Sequence, residues 1–190
     1  MSVSSVIGDV TETLEELLKN EQRPPNSFTI SLKSPAEETI EPSMKPKVNL
    51  FLFRVTENPF AKNQPWQATG PDRLQGPPLA LNLFYVMTPI AEDKLDEHRV
   101  LGEAMRIFHD HSLIDVAHLK GSLAHTSEEI KIDLIPLTLE DLTRIWNALN
   151  KPYRLSVGYE VRVVMVDSGV ERTVGRVTER EDRFSQVTGD

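Results

Sequence analysis

The first twenty residues place their apolar side chains at the spacing of a helix. Valine, isoleucine and leucine recur three or four positions apart from Val3 to Leu18, and the other face carries polar and charged residues: Thr11, Glu12, Glu15, Glu16 and Lys19. Residues at this spacing share one side of an α-helix. We therefore predict an amphipathic helix whose apolar side either packs on a sheet of its own chain or contacts another subunit.

Five later segments have the residue pattern of β-strands. They are Phe28–Leu32, Val48–Val55, Leu79–Met87, Glu129–Ile135 and Arg154–Val166. Val48–Val55 is apolar on both faces, which predicts a strand that is covered on both sides. Arg154–Val166 alternates apolar and polar residues, with Val161 and Met165 among those on its apolar face. A strand of that length would span about 43 Å, so we expect it to bend or to project beyond its own core.

Two further helices are predicted in the second half of the chain. Asp93–Phe108 begins with acidic residues and carries an apolar stripe, as a helix that packs on a sheet does. Thr138 is placed to cap a third helix, with Asp141 at the third helical position. Apolar residues at helical spacing follow as far as Leu149, and Pro152 limits any extension.

Prolines separate these elements unevenly. Eleven of the thirteen lie between Pro24 and Pro89, and residues 56–77 form a polar stretch that contains Trp66. We expect this stretch to be a long loop, with Thr88-Pro89 ending the strand that follows it. The element order predicts an α+β fold, in which two or three helices pack on a mixed, largely antiparallel sheet.

Composition narrows the possible partners. The 190 residues carry a net charge of −8, and their arginines form no run, so we expect no nucleic-acid partner. No apolar segment approaches the length of a membrane span, and the first residues lack the basic start of a secretory signal. The chain has no cysteine, which excludes disulfides, thiolate metal sites and a cysteine nucleophile.

Candidate chemistry is sparse. His109 and His111, with a nearby carboxylate, could hold a metal, but histidines at the end of a helix also interact favourably with its dipole. The sequence has no Gly-x-Ser-x-Gly motif and no phosphate-binding glycine loop. We therefore predict a protein without a catalytic site or cofactor. Trp66 could anchor an interface or pack locally.

Four phrases of the sequence resemble one known family. They are residues 48–59 (VNLFLFRVTENP), 97–102 (EHRVLG), 142–149 (LTRIWNAL) and 152–157 (PYRLSV). Together they resemble the cap, or tail-terminator, proteins of extracellular contractile injection systems, which are antifeeding-prophage-like particles related to phage tails. The resemblance covers residues 3–167 in order and implies a fold similar to that of phage tail terminators.

The resemblance also implies a function. It predicts a structural subunit that forms a homo-hexameric ring, contacts the inner-tube and sheath proteins, terminates both, and anchors the last sheath layer. It implies assembly in the bacterial cytoplasm and no catalytic residue. A baseplate or adaptor protein of the same particle is the first alternative. A metallohydrolase that uses His109 and His111 is the second.

The candidate binding residues lie mostly within the four phrases. They are Arg54, Glu57, Asn58, Trp66, Arg99, Arg144, Arg154 and Arg162. We expect residues 1–167 to form the cap domain and residues 168–190 a short arm or disordered tail. Many relatives carry a further C-terminal extension, and only about two dozen residues follow Asp167 here.

Overall fold

The computed structural model describes residues 5–61, 64–114, 118–121, 123 and 130–175. Their helices are α1 (Val6–Asn20), α2 (Lys94–Asp110) and α3 (Leu139–Ala148), with a short 3₁₀ turn at Pro35–Glu37. Their strands are β1 (Thr29–Ser31), β2 (Lys47–Glu57), β3 (Gln67–Ala68), β4 (Arg73–Gln75), β5 (Leu79–Ile90), β6 (Leu113–Ile114), β7 (Ile130–Ile135), β8 (Val157–Val166) and β9 (Glu171–Thr173). Val3 lies outside the described residues.

Six strands form the main sheet, in the order β1-β2-β5-β8-β7-β6. Only β1 and β2 run parallel, and the other neighbouring pairs are antiparallel. The predicted α+β class, with three helices and a mixed, largely antiparallel sheet, is confirmed. β3, β4 and β9 form a separate small antiparallel sheet.

Helices α1 and α2 cover one face of the main sheet. The apolar stripe of α1 is buried, and Val10, Leu14 and Leu18 are inaccessible to solvent. They share one core with Leu83 and Tyr85 of β5 and with the buried side of α2. Packing of α1 on its own sheet is therefore the correct alternative for this helix. Burial of such side chains contributes about 1.5–3 kcal/mol each.

Helix α3 lies on the opposite face. Leu137, just before α3, comes so close to Gly158 of β8 that a Cβ there would be 2.6 Å from the Leu137 side chain. Gly158 pairs with Val86, whose neighbours Tyr85 and Met87 point into the core beneath α1 and α2. Since side chains alternate along a strand, Leu137 and α3 must lie on the other side of the sheet.

Strand β8 is shorter than predicted and it bends. Its pairing with β5 moves from Val161–Leu83 to Val164–Leu81, so three steps along β8 match two steps along β5. The extra residue is a β-bulge, which reverses the inward alternation, and Val161 and Val164 are both buried. Met165 was predicted to share a face with Val161, and this is wrong. A bulge of this kind bends a strand, which is the first of the two predicted possibilities.

Strand β2 differs from the prediction along its second half. Val48, Asn49 and Leu50 are buried, whereas Arg54 and Val55 are exposed. A bulge between Leu52 and Arg54 separates the two halves. The strand is therefore covered on both sides only where it begins. β5 was predicted to end at Thr88-Pro89 but continues to Ile90, and Pro89 lies past the last pairing of β5 with β8.

The predicted loop 56–77 contains two short strands. β3 and β4 pair with each other, and β4 also pairs with β9. Glu171–Thr173, within the predicted C-terminal arm, thus joins the small sheet. The domain boundary at residue 167 stays a prediction, and residues 176–190 lie outside the described part of the chain.

Candidate interaction surface

A groove separates the outer half of β2 from helix α3. We call it the α3 groove; its volume is about 190 Å³. Its lining residues are Phe53, Arg54, Leu137, Asp141, Arg144 and Ile145. Two arginines from different elements therefore face an apolar floor. Both are candidate binding residues, and the fold brings them together although 90 positions separate them in the sequence.

Arg54 is held by an aromatic ring rather than by a carboxylate. Its guanidinium carbon lies 4.0 Å from the ring centroid of Phe84, and Phe84 also meets Phe53 edge to face. Arg54 directly opposes Phe84 in the β2–β5 register, just past the bulge. A stacked guanidinium keeps its N–H donors free for a planar acceptor such as a carboxylate. No described carboxylate forms an ion pair with Arg54 at contact distance.

Helix α3 is fixed at its start by the predicted capping box. The Thr138 hydroxyl accepts from the Asp141 backbone N–H at 3.1 Å, and the Asp141 carboxylate accepts from the Thr138 backbone N–H at 3.1 Å. Hydrogen bonds from Thr138, with the nearby charges of Arg144 and Arg54, hold the pKa of Asp141 below its usual value. The start of α3 therefore contributes one carboxylate, held by the helix cap, to a groove that also contains two arginines.

Arg144 is the other charged residue that α3 contributes to the groove. Its guanidinium lies 2.6 Å from Glu140 across one helical turn, and both side chains are largely exposed. Exposed pairs at this spacing contribute a few tenths of a kcal/mol. A partner carboxylate can therefore replace Glu140 at little cost, and Arg144 remains available for binding.

Asn58 belongs to a polar chain inside the same face of the sheet. Its side-chain amide donates to Asn82 at 2.9 Å, and the Asn82 amide donates to Glu160 at 2.7 Å. The Asn58 side-chain oxygen accepts from the Phe60 backbone N–H. Asn58 is buried and shapes the turn after β2, so its interactions lie within the subunit. That turn leaves Phe60 97% exposed.

Arg162 lies at the bulge of β8 and binds a neighbouring strand. Its guanidinium contacts Asp133 of β7 at 2.7 and 2.9 Å, and Lys131 contacts the other oxygen at 2.9 Å. Partial burial acts to raise the pKa of Asp133, but hydrogen bonds and charges from Lys131 and Arg162 hold it below its usual value. Arg162 therefore ties β8 to β7 and is partly committed to the fold.

The remaining candidates are dispersed. Trp66 packs locally, with the Arg172 guanidinium 4.2 Å from its ring, and Arg99 pairs with Asp96 on α2. Glu57 ends β2, and Arg154 lies half-buried before β8. The structure thus gathers Arg54 and Arg144 in one groove and separates the other candidates.

The chain is similar to known proteins both in its sequence and in its fold. The sequence matches the Pvc16 N-terminal domain family over residues 9–180. The chain belongs to this family. The resemblance read from the four phrases is confirmed, and the family match extends past residue 167. A search of curated proteins finds no significant match.

Two solved structures share the fold of this Pvc16 N-terminal domain family member. One is the sheath/tube terminator of the extracellular contractile injection system PVC in its extended state, with a TM-score of 0.67 and 17% identity over 96% of this chain. The other is the tube-terminating cap of the anti-feeding prophage, with a TM-score of 0.65 and 16% identity over 93% of this chain. The chain spans 64% and 61% of their lengths, respectively.

The described histidines of this family member do not converge with carboxylates into a metal site. Among the described residues, no three histidine or acidic side chains are placed to share an ion. Asp110 pairs with Arg106, and His111 lies 3.6 Å from Glu21 and beside His118. Nor does any helix in the described ranges combine the length and apolar character that a membrane crossing requires.

Sequence reasoning did not single out Phe84, Asn82 or Glu160. Phe84 supplies the ring beneath Arg54, and the other two residues fill the polar chain. The sequence does indicate that Asn82 and Phe84 share one face of β5, because side chains alternate along a strand. Which residues of β2 and β8 they contact depends on strand register, and a bulge in each of these two strands sets that register.

Proposed function

We propose that this chain is a structural capping subunit that terminates the inner tube and sheath of a contractile injection system. The observation that carries the proposal is the likeness of 96% of the chain to a sheath/tube terminator. A second tube-terminating cap shares the fold over 93% of the chain. The proposed partners are the inner-tube and sheath proteins of one particle.

The subunit acts as part of a closed ring in this proposal. A cyclic ring needs two different complementary surfaces on each subunit, together with an axial surface for the layer beneath it. The α3 groove, the exposed end of β2 and the small sheet provide several distinct surfaces outside the helix-covered core. We assign six copies to the ring, in line with the family resemblance, and place assembly inside the bacterial cell before any release of the particle.

The proposed role is non-catalytic. The charged groups of the α3 groove are arginines stacked or paired at the surface, and Asp141 is committed to the helix cap. This arrangement lacks a base oriented toward a nucleophile, which hydrolysis would need. It suits recognition of carboxylates on a protein partner.

Deletion of the gene tests the proposal. Particles assembled without a terminator should have tubes of widely varying length and sheaths that lose their last layer or contract prematurely. Negative-stain electron microscopy measures both properties on purified particles. Expression of the chain from a plasmid should restore uniform length, which controls for effects on neighbouring genes.

Two outcomes would contradict the proposal. Tubes of normal, uniform length with intact sheaths in the deletion strain would exclude a capping role. Particles that lack a baseplate but have normal tube ends would instead establish the chain as a baseplate or adaptor protein.

A further inference from the structure

The outer edge of β2 is open along most of its length. β1 pairs with β2 only at Lys47, Val48 and Asn49, and no other described strand pairs with that edge. Among the described residues, the stretch from Leu50 to Thr56 therefore has β5 on one side and no strand on the other. An unpaired edge of this length can accept another strand.

Every second residue along this stretch directs its backbone N–H and C=O toward the open side. The Asn58 N–H donates to Ala80 of β5, so alternation directs the N–H of Val55 away from β5. Val55 is also 41% exposed, and its neighbour Arg54 is exposed. The edge is thus open both in its hydrogen-bonding groups and in its side chains.

The side chains beside this edge have a definite chemical character. Arg54 opposes Phe84 and points into the α3 groove, while Val55 opposes Leu83 on the face that α1 and α2 cover. Directly paired residues of antiparallel strands share a face. A strand added here would therefore place one residue beside Arg54 and the groove, and the adjacent residue beside Val55.

We propose that the β2 edge takes an extended segment of another protein of the particle as an added strand. Its residue beside Arg54 is acidic and reaches both Arg54 and Arg144, and its neighbour beside Val55 is apolar. Backbone hydrogen bonds supply the affinity, and the charge pair sets the register. This inference rests on the proposed function, because that function makes the partner a component of the same particle.

Electrostatics favours a foreign strand over a second copy joined through the same edge. Antiparallel pairing of two β2 edges around Arg54 would bring the two Arg54 guanidinium groups together, and each lacks a described carboxylate partner at contact distance. Such a contact is also two-fold symmetric and would end as a dimer rather than a ring. Arg54, which stacks on Phe84 and forms no contact-distance ion pair with a described carboxylate, is instead complementary to an acidic segment.

Site-directed cross-linking in assembled particles tests the inference. Since the chain has no cysteine, Val55→Cys provides a unique position for a photo-cross-linker. The expected product joins residue 55 to a peptide of a different protein, with an acidic residue next to an apolar one. Lys19→Cys is the matched control and should give no such product. Lys19 is an exposed residue of α1, which lies on the other face of the main sheet from the α3 groove.

Charge reversal supplies the second readout. Arg54→Glu in the Val55→Cys background should lower the cross-link yield about tenfold, as loss of an interfacial charge pair does. Lys19→Glu in that background should leave the yield unchanged. Circular dichroism of each purified variant verifies that it folds, since both changes lie on exposed side chains.

The outcomes separate this inference from the proposed function. A cross-link to the chain itself, no cross-link from position 55, or a yield insensitive to Arg54→Glu would overturn the added strand, even if the deletion strain showed uncapped tubes. A charge-sensitive cross-link to a baseplate protein would support the strand while contradicting the capping role.

Discussion

The two faces of the main sheet use different chemistry. Beneath α1 and α2 the side chains are almost wholly apolar and inaccessible, with Leu14, Leu83 and Met87 at the centre. On the α3 face, Asn58, Asn82 and Glu160 are linked by hydrogen bonds, and arginines line an open groove. Apolar burial supplies most of the free energy of folding, whereas exposed charges select partners. The first face therefore stabilises the subunit, and the second is free to serve assembly.

The largest effect is expected from the helix-covered face. Leu14→Ala removes a completely buried side chain and should lower the free energy of unfolding by about 2–5 kcal/mol, through lost burial and a new cavity. Urea denaturation followed by circular dichroism measures it. Leu139→Ala, at an exposed leucine of α3, should change the value by less than about 0.5 kcal/mol. Equal effects of the two changes would remove the contrast between the faces.

The polar chain should show the next largest effect. Asn82→Ala leaves Asn58 without its acceptor and Glu160 without its donor, which should cost about 1–3 kcal/mol in the free energy of unfolding. Asn147→Ala, at an exposed asparagine of α3, is the matched control. If Asn82→Ala proves as mild as its control, the polar chain does not stabilise the α3 face.

Loss of the helix cap should have a smaller effect on stability. Thr138→Ala removes both side-chain bonds of Thr138 to Asp141 and should cost about 1 kcal/mol. Because α3 forms a wall of the groove, incorporation of this variant into particles should fall by more than the small loss of stability alone would cause. Thr143→Ala, on the exposed side of the same helix, should leave both quantities unchanged. Normal incorporation of the Thr138→Ala variant would show that the start of α3 has no role in assembly.

Lowering the pH should weaken the subunit gradually. Loss of the pair between Glu103 and Arg106 should have the smallest of the four effects on stability. Hydrogen bonds from Arg106 hold the pKa of Glu103 below 4.5 in the folded state. A lowered folded-state pKa adds stability that is present above about pH 4.5 and is lost as the pH falls through the folded value. Glu103→Gln should therefore flatten the decline in stability between pH 5 and pH 3. Parallel declines for the two proteins would exclude this pair as a cause.

Local sequence patterns predicted the elements well where their causes are local. The stripe of α1 follows from helical spacing, and the cap of α3 requires only Thr138 and Asp141, three residues apart. Three helices and a largely antiparallel sheet were predictable from such patterns. The long strands were also recognised, because their β-branched and aromatic content is high.

Long-range pairing could not be predicted in the same way. The bulges near Arg54 and Arg162 shift the register of β2 and β8, and each depends on the packing of a neighbouring strand. The small sheet joins Gln67–Ala68, Arg73–Gln75 and Glu171–Thr173, which a single sequence does not connect. Arg54 and Arg144 lie 90 positions apart in the sequence, and only the fold shows that they share a groove.

The location of the subunit in an intact particle tests the central claim most directly. A single cysteine introduced as Lys19→Cys, on the exposed side of α1, carries a gold label without competing thiols in this chain. Electron microscopy should show one cluster of gold at the end of the tube opposite the baseplate, where tube and sheath both stop. Gold at the baseplate, or distributed along the sheath, would contradict the capping role.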